Sequence, residues 1–222
     1  MSGLEAREIC FSYGKERVLD GFSLTARPGE CVVIAGANGC GKSTALAVLA
    51  GILKPDSGEV IPGGTVGYVP QKGGLMEDMT AKANLRFFSA LAEKSVPAQL
   101  PMGVEGFLDK RVSKLSGGMK KRLSIACALV SEPDILLFDE PCEALDEPGR
   151  RYLRELIEHL KYMGKSIIYV GHDPEEFADF YDRLLLIKEG RGTAYLRSQL
   201  SGIGSREVQL SNLQRSYAQL FK

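Results

Sequence analysis

Residues 30–53 read ECVVIAGANGCGKSTALAVLAGIL: an apolar, β-branched run, a glycine-rich turn, then apolar residues at helical spacing that stop at Lys54-Pro55. The turn, GANGCGKST from Gly36 to Thr44, fits G-x-x-x-x-G-K-[ST] at every fixed position and lies between a strand and the helix it opens. That placement gives the pattern its chemistry. Backbone N–H groups of Gly36, Ala37, Asn38, Gly39, Cys40 and Gly41 can curl round phosphate oxygens, and the helix N-terminus beginning near Ser43 and Thr44 adds partial positive charge. Lys42 reaches the β- and γ-phosphates of a nucleotide, and the Ser43 hydroxyl holds Mg²⁺. An ordinary glycine-rich turn before a helix is the plainer reading; the context, with every fixed position met, disfavours it.

A phosphate loop alone does not choose among kinases, GTPases and ATPases. The second element is DILLFDE, residues 134–140, in which four apolar residues carry Asp139 to the C-terminal edge of a buried strand, with Glu140 just beyond. There Asp139 can bind Mg²⁺ through water, and Glu140 is the natural base for polarising an attacking water, a contribution of roughly 10²- to 10⁴-fold. Asp-Glu-Pro is also good turn chemistry, and alone the pair reads equally well as a turn. Beside the phosphate loop the hydrolytic reading prevails. No N-K-x-D-type segment for reading guanine is present, which disfavours a GTPase.

With 222 residues the chain has the size of a single domain, 1–222. Its 28 basic and 28 acidic side chains cancel and leave no global field to attract nucleic acid or an anionic membrane surface. Five cysteines without a C-x-x-C pair, and two histidines, argue against a disulfide scaffold or a zinc site and for a reducing compartment. No basic-then-apolar leader opens the chain and no uncharged apolar run reaches about 18 residues, so it is expected to be neither secreted nor membrane-spanning. Strand-like runs (REICFSY, GFSLTA, ECVVIAG, GTVGYVP) crowd residues 1–70. A helical pattern, TAKANLRFFSALAEK, begins a short helical part over residues 72–130, broken by Pro97, Pro101, Gly103 and Gly106. From 131 to 222 the strands DILLFD, KSIIYVGH and RLLLIKEG alternate with the helices EPGRRYLRELIEHLKYM and PEEFADFY, before a closing amphipathic helix, SNLQRSYAQLFK. This alternation predicts an α/β fold with a mostly parallel sheet covered on both faces.

LSGGMKKRLSIA, Leu115 to Ala126, lies just upstream of DILLFDE and resembles the signature sequence of ABC-type ATPases. The resemblance runs from about Gly3 to Gly190. It implies the P-loop NTPase fold of ABC ATPase type: a mostly parallel core sheet flanked by helices, an N-terminal antiparallel β subdomain and a short helical subdomain. It also implies roles. Tyr13 resembles the aromatic that stacks on adenine, with a core aromatic as the alternative. Gln71 in VPQKG looks like the glutamine linking Mg²⁺ and water to the transporter, and His172 in YVGHD like the switch histidine. Asp146 in EALD looks like the aspartate that communicates between two sites at the subunit interface. In this family two subunits bind two ATP molecules face to face, and Ser116, Gly117 and Gly118 of one complete the site of the other. A helix N-terminus offering donors and a dipole to the opposite γ-phosphate gives that arrangement a physical basis, although Ser116 also reads locally as an N-cap. Lys120, Lys121 and Arg122 oppose the dipole; a docked anion and a solvated face account for them equally well.

The sequence departs from the family pattern at Met119, where glutamine or another polar residue is usual, at Cys142, Glu143 and Ala144, and at Cys40, where alanine or serine is usual. None of these removes a catalytic acid. Lys42 and the helix N-terminus favour a Cys40 thiolate while bound phosphates oppose it, so redox control stands beside the plainer reading of a tolerated small residue. Glu143 and Glu147 are expected to be loop or helix-start acids, and His159 an exposed helix residue. Leu75, Met76 and Met79 lie where such ATPases receive a coupling helix, and read either as that groove or as core. The resemblance thus implies an ATPase subunit of an ABC transporter that uses ATP and Mg²⁺. It would work as a homodimer or heterodimer with separate transmembrane permease subunits, for export, as a cytoplasmic protein peripheral on the inner face of the membrane. The alternative is a soluble ABC ATPase acting on the ribosome, DNA or an assembly scaffold. Balanced charge, and the lack of a long coiled-coil insertion or a second ATPase unit, speak against it and against nucleic acid as a partner.

Overall fold

The computed structural model describes residues 3–201 and 206–220. Its chain begins with β1 (Leu4–Tyr13) and β2 (Glu16–Ala26), joined by a tight turn at Gly14, then β3 (Cys31–Ala35), α1 (Lys42–Leu49), β4 (Ser57–Pro62) and β5 (Val66–Val69). These five strands divide between two sheets. β1 lies between β2 and β4 in an antiparallel three-stranded sheet, whereas β3 and β5 belong to the six-stranded core sheet. Strand-richness over 1–70 therefore reflects two layers, because β3 and β5 are parallel strands whose partners, β6, β7 and β8, lie in the second half of the chain.

The helical part contains α2 (Ala81–Leu91), two 3₁₀ segments at Pro101–Phe107 and Val112–Lys114, and α3 (Gly117–Leu129). After it come β6 (Ile135–Asp139), α4 (Glu147–Tyr162), β7 (Ser166–Val170), α5 (Pro174–Phe177), β8 (Arg183–Lys188), β9 (Arg191–Leu196), α6 (Arg197–Leu200) and α7 (Arg206–Leu220). PEEFADFY supplies only the four-residue α5, and α7 begins five residues before SNLQRSYAQLFK, whose Phe221 and Lys222 lie outside the described residues. β9 is a strand with no clear alternation in its sequence, RGTAYL. It is added antiparallel to β8 through the turn at Glu189-Gly190.

The core sheet runs β5-β6-β7-β3-β8-β9, parallel from β5 to β8. β3, β6 and β7 are buried at every residue, as expected for parallel strands covered on both faces. Alternate residues feed two separate cores. Val32, Ile34, Ile135, Leu137, Ile168 and Val170 pack with α1 and the antiparallel sheet, whereas Val33, Leu136, Phe138, Ile167 and Tyr169 pack with the helical elements. Each such fully buried side chain contributes roughly 1.5–3 kcal/mol of hydrophobic free energy.

This order matters for chemistry because the carboxyl ends of β5, β6, β7 and β3 are neighbours. Their continuations are, in turn, Pro70-Gln71, Asp139-Glu140, Gly171-His172 and the loop from Gly36. Ligands of open α/β sheets bind in the crevice beyond these ends. Among the described residues no helix is long and apolar enough to cross a membrane.

Candidate functional site

The glycine-rich loop is shaped by close approach. A Cβ on Gly36 would lie 2.3 Å from Cys40 Sγ and 2.9 Å from the Ile187 carbonyl oxygen, so the first fixed glycine is a steric requirement. Gly41, at φ 103°, caps the start of α1 in the left-handed region, where a Cβ would also meet Val18 Cγ1 at 2.8 Å. Lys42 is buried, and its Nζ donates to the carbonyls of Gly36 at 2.9 Å and Ala37 at 3.0 Å. The ammonium is therefore held against the loop that it serves.

Ser43 and Asp139, 96 positions apart, meet where α1 starts and β6 ends: Ser43 Oγ donates to Asp139 Oδ1 at 3.3 Å. Tyr68 on β5 donates to the other carboxylate oxygen at 3.5 Å. Burial pushes the Asp139 carboxyl above its ordinary range against the opposing bond from Ser43, a placement that a nearby cation would relieve. A hydroxyl and a carboxylate oxygen side by side are hard donors of the kind Mg²⁺ takes together with nucleotide phosphates, so the residues present fit that ion. Among the described residues no three His, Cys, Asp or Glu side chains group as a metal cage, and the acids of DEPCEALDE are not a cluster.

Glu140 stands just past the strand at φ 47°, its N–H bonded to the Val170 carbonyl at 3.1 Å. One of its carboxylate oxygens is bonded to His172 Nε2, and the other accepts from Gln71 Nε2 at 2.9 Å. The Gln71 amide thus meets Glu140 and, at 3.2 Å, Glu143, rather than Ser43 or Asp139. Tyr13, Asn38, Gly39, Gly41, Lys42, Ser43, Thr44, Gln71, Glu140 and His172 line one cleft of about 610 Å³, together with Glu16, Val18 and Glu143. Tyr13 stands at its rim, 54% exposed and edge-on to Phe11, so the core reading of this ring is not what the fold produces.

The signature residues lie elsewhere. Ser116 caps α3 by accepting from the Met119 N–H at 3.3 Å, and Gly117 lines an adjoining cavity of about 430 Å³ that shares Gln71 and Glu143 with the cleft. Gly118 packs so close to the 144 backbone that a Cβ would lie 2.8 Å from the Ala144 carbonyl oxygen. Met119 packs its side chain against the larger core. Asp146 caps α4 through the Gly149 N–H at 3.1 Å and pairs with Arg122 at 2.7 Å. The three basic residues of MKKR are neither a free face nor an open anion site, since Arg122 is paired with Asp146, Lys120 pairs with Glu77, and Lys121 is buried with its Nζ on two backbone carbonyls. The burial of Lys121 had no local signal, because its partners are carbonyls of the loop after β5, about 50 residues earlier.

The cysteines correct one expectation. Burial outweighs the influence of Lys42 and raises the Cys40 thiol above its ordinary value, so the loop does not favour a thiolate. Cys142 is buried beneath the Tyr169 hydroxyl, which donates to its sulfur at 3.3 Å, and burial pushes that thiol up to about 11.

Comparison with known proteins gives the family. A family model described as ABC transporter matches residues 19–143. The chain belongs to the ABC transporter family of ATP-binding subunits. The Nod factor export ATP-binding protein I of Paraburkholderia xenovorans is 38% identical over 213 residues, covering 87% of this chain and 70% of that protein. The protein of the same name from Burkholderia thailandensis is 39% identical over 211 residues, covering 86% and 69%. A solved ATP-binding subunit of an ABC transporter shares the fold at TM-score 0.85 and 24% identity, with 100% of both chains covered. A dimeric ATP-binding cassette solved in a post-hydrolysis state with ADP and Pi matches at TM-score 0.77 and 26% identity, over 91% of this chain and 100% of that chain. The activity of this ABC ATPase is ATP hydrolysis.

Proposed function

We propose that this ABC ATPase drives export through separate membrane-spanning subunits, peripheral on the cytoplasmic face of the membrane, and that it hydrolyses ATP in the cleft beyond β3, β5, β6 and β7. The observation that carries the hydrolytic assignment is the Glu140 carboxylate, held between His172 and Gln71 in the cleft that also contains Lys42 and Ser43. In this reading the Gly36–Thr44 loop and Lys42 bind the phosphates, and Tyr13 stacks on the base. Ser43 and Asp139 hold Mg²⁺, which supplies charge neutralisation at the phosphates. Glu140 accepts a proton from the attacking water, and His172 and Gln71 fix its two oxygens in place.

Ser116, Gly117 and Gly118 are proposed to act on the ATP of a second subunit, homologous or identical, with Asp146 at the interface. None of the three lines the cleft of their own chain, and a dimeric ATP-binding cassette is among the structural relatives; both support that reading. Export is supported by relatives named as export ATP-binding proteins, which weigh against a soluble, non-transport role. The test is Glu140→Gln. Phosphate release should fall by roughly 10²-fold or more while ATP still binds and still promotes dimerisation; turnover at the wild-type rate would remove Glu140 from the mechanism.

A further inference from the structure

Gln71 is gripped at both its backbone and its side chain by residues that the reading above leaves without a role. Lys121, on the second turn of α3, sends its buried Nζ to the carbonyls of Pro70 and Gln71, both at 2.9 Å. A primary amide has two N–H donors, and the Nε2 of Gln71 faces Glu140 at 2.9 Å and Glu143 at 3.2 Å. The two acids can share it because the chain turns between them, the Glu143 N–H donating to the Glu140 carbonyl at 3.3 Å. Glu143 and Lys121 also line one cavity with Gln71 and Gly117, so the start of α3, the loop after β5 and the turn after β6 meet at a single point.

We propose that Lys121 and Glu143 are positioning residues for Gln71: together they fix its backbone and its amide so that Glu140 keeps a hydrogen-bonded oxygen, and they join the signature helix to the hydrolytic carboxylate within one chain. This rests on the assignment of Glu140 and Gln71 made above. Charge-assisted bonds are the stronger class, and a buried lysine whose donors are spent on loop carbonyls resists movement of that loop, because leaving them unmade is costly. Glu143 is exposed and replaceable without disturbing the core, whereas Lys121 couples α3 to the loop from a buried position.

The experiment measures steady-state ATP hydrolysis by the full chain for Glu143→Ser, Glu143→Gln, Lys121→Met and Gln71→Ala, and for Glu143→Ser and Lys121→Met each combined with Gln71→Ala. Loss of one positioning bond should lower kcat about tenfold, with KM for ATP within about twofold, and Glu143→Gln, which keeps an acceptor oxygen, should recover most of the rate. In the Gln71→Ala background neither substitution should lower kcat further, because the group they position is gone. A Glu143→Ser rate close to wild type, or an undiminished effect in the Gln71→Ala background, would overturn the proposal. If Lys121→Met fails to fold by circular dichroism, the Glu143 series still decides. Should Glu140→Gln and Gln71→Ala themselves turn over normally, the assignment of the site fails, and that result is distinct from a null effect at Glu143 alone.

Discussion

At the scale of single residues, the cleft is made by side chains and backbones held away from their ordinary preferences. Glu140 occupies the left-handed region at φ 47°, a conformation that disfavours a non-glycine residue by roughly 1–2 kcal/mol. It is retained because the N–H must reach Val170 while the carboxylate faces His172 and Gln71. Tyr13 is the opposite case: a large ring left 54% exposed at the cleft rim, supported on one edge by Phe11 with centroids 4.9 Å apart. A ring so placed contributes little to the core and is free to stack on a base. Tyr13→Phe should therefore leave ATP affinity within about twofold, whereas Tyr13→Ala should weaken it roughly 10-fold, as base stacking of 1–3 kcal/mol requires. Nucleotide titration reads the affinity, and an unchanged melting temperature in both variants separates stacking from packing. Equal affinities for Tyr13→Ala and wild type would exclude the stacking role.

At the scale of elements, the parts that sequence revealed were those with strong local signals. Continuous apolar runs marked β3, β6 and β7, and the fixed positions of Gly36–Thr44 marked the loop before α1. What escaped was decided by tertiary neighbours. β9 has no alternation of its own and forms because β8 offers an edge, and Lys121 became a structural residue only once the loop after β5 lay across α3. Glu143 looked like a loop acid because nothing local places Gln71, 72 residues earlier, within reach. Ser116 shows two functions converging on one element, since the hydroxyl that caps α3 is the one proposed to meet the partner's nucleotide. The two can be separated. Ser116→Ala should lose a cap worth about 1 kcal/mol together with activity. Ser116→Asp should preserve stability, because aspartate caps equally well, yet abolish ATP-driven dimerisation by opposing the γ-phosphate. Denaturant melts and ATP-dependent gel filtration read the two effects; an Asp variant that still dimerises with ATP would leave Ser116 as a cap alone.

At the scale of the whole molecule, the antiparallel sheet that carries Tyr13 has to stay in register with the core sheet that carries Lys42, Asp139 and Glu140. Shared apolar packing against Val32, Ile34 and α1 supplies the area, but a polar joint fixes the angle. Arg183, at the start of β8, bonds the Thr25 carbonyl on β2 and grips Glu30, just before β3, with a second contact from Nη2 at 3.0 Å. Both partners of this ion pair are mostly shielded from solvent, so removing one leaves the other inadequately paired. Burial by itself would raise the Glu30 carboxyl, but the bonds from Arg183 and from the Arg27 N–H more than offset it and hold the group below its ordinary value of 4.5. With the folded-state value lowered, the contribution is complete above that ordinary value and is lost as pH falls through the lowered one. Glu30→Gln should thus cost roughly 1–3 kcal/mol at pH 7, a fall of several degrees in Tm for a chain of this size. The gap between wild type and variant should narrow as the pH drops below about 4, because the unfolded chain then protonates Glu30 while the folded ion pair still resists it. Thermal melts followed by circular dichroism from pH 7 to pH 3 give the comparison. A gap that stays constant across that range would mean that Glu30 acts through packing, and that the joint between the two sheets does not depend on its charge.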